Sequence, residues 1–239
     1  MGKNLTCVIL AAGLGTRLKP ILQDTPKPMA MVNGKPFLEY LIAQLKKERI
    51  DDIVLCIAYK AEVIEGYFSD GKKFGVHIRY AKGDKPAGTA GELLRAKPYI
   101  QSNPFIVMNG DSYCEVDFRA LFAYHRNYKA QITVAATKVK DTSRSGSITI
   151  AEDGSITNFV EKEPTKKSGY INGGIYLFNQ SALDEIQRQQ YRSLEQEAFP
   201  AFIRRGLYAF KTSGLFIDIG TPADFQRAQE LFKNFKFPQ

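Results

Sequence analysis

Two aspartates stand where an apolar run meets a glycine. Asp111 closes Met108-Asn109-Gly110-Asp111, and Asp218 lies in Ile217-Asp218-Ile219-Gly220-Thr221-Pro222. A carboxylate at the C-terminal end of a parallel strand is where open α/β sheets put ligand chemistry. Asp218 is flanked by isoleucines, so strand alternation sets it on the face opposite to them. Two such carboxylates can hold Mg2+, which wants hard oxygen ligands and shares them with phosphate oxygens. Each aspartate alone reads equally as a turn or capping residue.

Other segments add groups suited to phosphate. Leu10-Ala11-Ala12-Gly13-Leu14-Gly15-Thr16-Arg17 runs from a strand into a glycine-bearing loop. Glycines let backbone N–H groups approach an anion, and Arg17 adds a guanidinium fork. The loop lacks the Gly-Lys-Ser/Thr ending of a P-loop and the third glycine of a dinucleotide fingerprint. In Thr25-Pro26-Lys27-Pro28-Met29 two prolines pre-set the backbone around one lysine. Gly88-Thr89-Ala90-Gly91 opens a helix with small residues, leaving room for a flat base or a phosphate. Phe159-Val160-Glu161-Lys162 precedes Tyr170-Ile171-Asn172-Gly173-Gly174. There Glu161 can accept sugar hydroxyls, Lys162 can pair with phosphate, and Asn172 can do either.

The elements that must position these groups alternate in type. Strand-like runs occur at 6–11, 53–58, 77–81, 104–108 and 132–137, with helix-like stretches at 36–47, 61–68, 89–96 and 117–128. Phe37, Tyr40, Leu41, Gln44 and Leu45 make a 3.6-residue stripe. Such alternation predicts a sheet that is mostly parallel and flanked by helices on both faces, a Rossmann-like α/β fold. Beyond residue 137 the texture becomes mixed. A hairpin is expected at 147–160 around Glu152-Asp153-Gly154, and further strands at 175–178, 207–211 and 215–219. Helices are expected at 181–189, 194–205 and 222–235. No linker, repeat or low-complexity tract interrupts the chain, so we expect a single domain over 1–239. A nucleotide-binding half would cover about 1–137 and a second substrate half about 138–239.

Composition narrows the classes. The chain has 239 residues, 44% apolar and 24% charged, which excludes collagen, coiled coil and disordered-tail proteins. Cys7, Cys56 and Cys114 are odd in number and widely spaced, and read as buried small hydrophobes rather than disulfides. With only His77 and His125 present, no zinc spacing exists. The apolar run 7–12 is shorter than the ~20 residues a membrane span needs and lacks a signal-peptide cleavage site, so a cytoplasmic protein is expected. The net charge of +8 is dispersed, which suits a phosphorylated small substrate as well as a polyanion. No aromatic-basic interleaving supports nucleic-acid binding.

In order and spacing, these motifs resemble the sugar-1-phosphate nucleotidyltransferase family. The resemblance runs from Val8 to about Gln229, with Pro26-Lys27-Pro28, Asn109-Gly110-Asp111, Glu161-Lys162, Asn172-Gly173-Gly174 and Asp218-Ile219-Gly220-Thr221-Pro222 as its most specific parts. It implies a GT-A-like fold and transfer of a nucleotidyl group from a nucleoside triphosphate to a sugar 1-phosphate, with Mg2+ on Asp111 and Asp218. It implies that Arg17 gathers pyrophosphate charge and Lys27 neutralises the α-phosphate. Lys162, Glu161, Asn172, Gly173 and Gly146 would hold the sugar phosphate. Leu10, Ala11, Ala12, Gly13, Gly15, Thr16, Gly88, Thr89 and Asn109 would receive the nucleotide.

The guanylyl branch fits best, with a manno-heptose or mannose 1-phosphate as sugar and a surface polysaccharide as destination. The thymidylyl branch has a glutamine where Gly83 stands here. The following Asp84 is expected to accept from guanine N1–H and N2–H2. No nucleic-acid or membrane partner is expected, and a homodimer is left open. A metal-dependent glycosyltransferase would carry a second aspartate two residues after the first, yet Tyr113 follows Asp111-Ser112. A non-catalytic sensor of nucleotide sugars would have lost Arg17, Lys27 or an aspartate.

Overall fold

The computed structural model describes residues 5–13, 15, 18, 22, 25–143, 146–160 and 167–238. Four strands form the parallel part of the main sheet: β1 (Thr6–Leu10), β4 (Asp52–Ile57), β5 (His77–Lys82) and β6 (Phe105–Asn109). Between β1 and β4 a short hairpin of β2 (Met31–Val32) and β3 (Lys35–Pro36) leads into helix α1 (Phe37–Lys47). Helices α2 (Ala61–Phe68) and α3 (Thr89–Ala96) make the next two crossovers. The spatial order is β5-β4-β1-β6, so the chain runs outward from β1 to β5 and then returns to β6 on the other side of β1. Ligands of open α/β sheets bind at such a reversal, outside the C-terminal strand ends.

The second half completes the same sheet. After β7 (Ser112–Cys114) and α4 (Phe118–Asn127) come β8 (Ile132–Val139), β9 (Ser147–Ile150), β10 (Ile156–Val160) and the long β11 (Gly169–Phe178). β11 runs antiparallel to β6 along Ile175–Phe178 and to β9 at Tyr170 and Ile171, and pairs β8 along its other edge. Helix α5 (Gln180–Gln189) leads towards β12 (Leu207–Thr212), which lies parallel to β8. β13 (Phe216–Asp218) pairs with β7 in a separate two-stranded ribbon, and helix α7 (Pro222–Leu231) follows. The expected α/β sheet is therefore present, with an antiparallel insertion at β11. The division expected near residue 137 falls within β8.

Apolar residues explain the layers. Along β1, Cys7 and Ile9 face one core and Val8 the other; Ile53 and Leu55 against Val54, and Ile106 and Met108 against Val107, repeat the alternation. A strand buried on both faces reads as a continuous apolar run, which is why these were visible in the sequence. α1 lays Phe37, Tyr40, Leu41 and Leu45 on the first core, where Tyr40 meets Phe232 and Phe235 near the chain's end. Truncating one of these buried rings to alanine costs about 3–5 kcal/mol. All three cysteines are free and buried. Among the described residues, no helix is long and apolar enough to cross a membrane.

Two helices depart from the expected bounds. The stretch expected as one helix over 194–205 is a wide turn, Leu194–Ala198, closed by Ala198 N–H on Ser193 O at 3.1 Å, and then one helical turn, α6 (Phe199–Phe202). Pro200 has no N–H to continue the ladder. The last helix stops at Leu231 rather than near 235, which lets Phe232 and Phe235 fold back onto Tyr40.

Candidate active site

Lys27 sits in a single helical turn, Lys27–Met29, set by Pro26 in extended backbone and closed by Met29 N–H on Pro26 O at 2.8 Å. Proline on both sides of Lys27 fixes its direction. The side chain is only 8% exposed. Asp111 follows β6 through Gly110, whose N–H binds Leu10 O at 2.9 Å. A Cβ on Gly110 would lie 2.8 Å from that same carbonyl, so the strand ends can approach only with glycine there.

Asp218 ends β13, and the β7–β13 register sets it opposite Ser112. Ile219 N–H binds Asp111 O at 3.0 Å, which ties the two aspartate segments together. Ile217 and Ile219 point into the core while Asp218 stays half-exposed, as alternation requires. Its Oδ1 accepts the Gly220 N–H.

These three side chains meet. Lys27 Nζ lies 2.6 Å from Asp111 Oδ2 and 3.7 Å from Asp218 Oδ1. Two carboxylates thus converge on one cationic position. Hard oxygen donors suit Mg2+, and no third His, Cys, Asp or Glu joins these two among the described residues.

A cavity of about 220 Å³ opens at the sheet's reversal. Leu10 to Gly13 form one wall, Asn109 to Asp111 another, and Pro86, Gly88, Thr89 and Glu92 the third, with Lys27 at one side. Leu10, Ala11, Ala12, Gly13, Gly88, Thr89 and Asn109 are therefore brought together. Gly15 lies instead against Lys27; a Cβ there would be 2.7 Å from Lys27 Cβ, at a φ of +58°. Asp84 is on an exposed turn and does not line the cavity, whereas Glu92, which sequence reasoning missed, does. The reason is local: Arg95 packs against Gly83 and donates to Lys85 O at 3.0 Å, holding this turn away. Thr16 and Arg17 lie outside the described residues.

Thr89 has a second duty. Its hydroxyl donates to Glu195 Oε2 at 2.7 Å and accepts the Leu194 N–H at 2.8 Å, fastening α3 to the wide turn at Leu194–Ala198. Asn172 is also internally engaged. Its Nδ2 donates to the Tyr176 hydroxyl at 2.8 Å, and its Oδ1 accepts the Gly174 N–H at 2.9 Å. These bonds shape an irregularity in β11, where Gly174 takes a φ of +74° and a Cβ on Gly173 would meet Ala135 O at 2.8 Å. Gly146 O accepts the Asn172 N–H at 2.9 Å, so those two expected residues are adjacent. Burial raises the Tyr176 phenol well above its ordinary value. Glu161 and Lys162 lie outside the described residues.

A larger cavity, about 670 Å³, lies on the far side of Asp218. Thr137 to Asp141, Phe216 to Asp218 and Arg227 contribute to it. Lys138, Lys140 and Arg227 give it cations that no motif had singled out, set beside Asp141, Asp218 and Asp224 on the same lining. The Lys27–Asp111–Asp218 group thus stands between two cavities.

Residues 6–234 match the nucleotidyl transferase family. The chain is 34% identical over 232 residues to a D-glycero-alpha-D-manno-heptose 1-phosphate guanylyltransferase of Aneurinibacillus thermoaerophilus, covering 97% of this chain and 100% of that protein. It is 37% identical over 229 residues to the mannose-1-phosphate guanylyltransferase catalytic subunit beta of Drosophila pseudoobscura pseudoobscura, covering 94% of this chain. The match spans only 62% of that longer relative's length. The crystal structure of HddC from Yersinia pseudotuberculosis complexed with GMP-PN superimposes with a TM-score of 0.84 at 34% identity, covering 96% of this chain and 100% of HddC.

Proposed function

The chain belongs to the nucleotidyl transferase family, and from that premise we propose that it transfers a guanylyl group from GTP to D-glycero-D-manno-heptose 1-phosphate, releasing pyrophosphate. The observation that carries this reading is the convergence of Asp111 and Asp218 on Lys27 between two cavities. Relatives named for the heptose and mannose reactions support the choice of GTP and of a manno-configured sugar.

The smaller cavity takes the nucleotide, with base and ribose against Leu10–Gly13 and Gly88. The sugar phosphate approaches from the side of Asp218, where Lys138, Lys140 and Arg227 supply positive charge. One sugar-phosphate oxygen attacks the α-phosphorus in line, the bond to the β-phosphate oxygen breaks, and pyrophosphate leaves. The nucleophile is already an anion, so no strong general base is needed. Alignment of two bound reactants can supply about 7–11 kcal/mol of the barrier in the best cases.

Asp111 and Asp218 would hold Mg2+, which would supply charge neutralisation at the reacting phosphates. Lys27 adds a fixed positive charge beside the α-phosphate. Arg17 and Lys162 are assigned to the pyrophosphate and sugar phosphate by family resemblance.

The test is pyrophosphate release in a matrix of four nucleoside triphosphates against heptose, mannose and glucose 1-phosphates, with Mg2+. Release confined to GTP with the heptose phosphate is the expected result. Release with another pair would keep the chemistry and move the specificity. No release from folded protein in any well would overturn the proposal.

A further inference from the structure

We propose that the buried Tyr176 hydroxyl is a positioning group for the transfer reaction: through Asn172 and Gly174 it backs the segments that carry Asp111 and Asp218. The proposal rests on the reading above of those two acids as the reacting centre. Tyr176 lies in β11 and is fully buried, so it does not touch a substrate itself. Its oxygen accepts Asn172 Nδ2 at 2.8 Å, and the Asn109 side chain stands as a second donor toward it. Asn172 in turn holds the Gly174 N–H on its Oδ1 at 2.9 Å. One phenol thus fixes the break in the pairing of β11 with β8, which falls between Asn172 and Tyr176.

The residues packed on that break belong to the floor of the site. Gly174 has a φ of +74°, which glycine holds without strain. A Cβ there would run into Ser112 Oγ and stand 3.2 Å from Asn109 Nδ2. The bare backbone of Gly174 therefore lies flush against a residue on either side of Asp111. Ser112 is also the register partner of Asp218, and Asn109 lines the nucleotide cavity. A close-packed interior passes such contacts on rather than absorbing them. A shift of β11 at Gly174 would reach both acids through these two neighbours.

The phenol oxygen controls that shift through one planar group. Without it, the Asn172 amide loses its acceptor beside a fully buried ring and is driven to turn towards another. Turning the amide also releases the Gly174 N–H, because both bonds are made by the same plane.

Tyr176→Phe removes one oxygen and keeps the ring beside Phe178 and Phe199. Pyrophosphate release is measured with the triphosphate and sugar 1-phosphate that the wild type uses best. We expect kcat to fall about tenfold, with both KM values within about threefold of wild type. In the Asp111→Asn background the same change should cost less than about twofold, since a group that acts through Asp111 then has nothing left to position. A merely structural hydroxyl would lower the melting temperature and leave kcat unchanged well below the melt, and that result overturns the proposal. A tenfold loss that persists in the Asp111→Asn background, or one carried by KM, overturns it too.

If Tyr176→Phe does not fold, Asn172→Asp takes its place. A carboxylate there keeps an acceptor for the Gly174 N–H and loses the donor to Tyr176. The ratio of its kcat losses with and without Asp111 then decides in the same way. A wild type inert with every pair of substrates sinks the reading of the site as a reacting centre, and this proposal with it, and is seen before any variant is made.

Discussion

The Lys27 ammonium donates to the Asp111 carboxylate over 2.6 Å, joining the proline-flanked turn to the end of the central strand β6. Asp218 reaches the same nitrogen from a strand of the separate ribbon. Asp111→Asn or Asp218→Asn should therefore lower kcat a hundredfold or more, since in the proposed mechanism each removes a charge from the point where the phosphates react. Both side chains are partly exposed, at 39% and 43%. The melting temperature should accordingly move by less than about 4 °C in either variant. Pyrophosphate release and thermal melts on the same preparations check both statements.

Gly15→Ala should weaken the enzyme through Lys27. The added Cβ would stand 2.7 Å from Lys27 Cβ, and the backbone there has a φ of +58°. The strain costs about 1–3 kcal/mol in stability. Displacing the ammonium should cut kcat about tenfold or more. A variant that melts earlier but turns over normally would separate Gly15 from Lys27.

His125 makes stability depend on pH. It is buried, with Nδ1 2.8 Å from Thr133 Oγ1 and Nε2 3.2 Å from Asn179 Oδ1. Asn179 uses its amide nitrogen on Ala130 O at 2.7 Å, so Oδ1 is the acceptor and the imidazole proton sits on Nε2. Burial holds the imidazole below its ordinary value. The unfolded chain thus takes up a proton that the folded one refuses, and stability falls as pH drops below about 6.5. The melting temperature should decline from about pH 7 to pH 5, and His125→Gln should flatten part of that decline.

The thiols should be silent in the folded protein. Burial raises the thiols of Cys7 and Cys56 well above their ordinary value and pushes Cys114 up to about 12. A thiol reagent at pH 8 should label none of the three until denaturant is added, and then all three. Rapid labelling of one cysteine in native protein would mark a local opening at its strand.

How far the sequence carried the reading differs from element to element. Strands such as β4, buried on both faces, announce themselves as apolar runs, and the α1 stripe does so by its period. The strand expected at 215–219 is β13, but its partner β7 stayed hidden, because a three-residue strand has no period to detect. Both aspartates were legible from a glycine beside a strand end. Their shared engagement with Lys27 was not, since it is made by pairing across distant parts of the chain. Asp84 looked apt for the base by chemistry alone, but a turn held by Arg95 sets it outside the cavity. Glu92 in the first turn of a helix reads as an ordinary end charge; only its burial beside the cavity distinguishes it.

The β7–β13 pairing also sets a schedule for synthesis. The strand that carries Asp218 is nearly the last to emerge from the ribosome, whereas β1, β6 and Lys27 are made early. The site is complete only once β13 has paired with β7, and a chain cut before residue 216 would lack both Asp218 and the Phe232 and Phe235 rings that cover Tyr40.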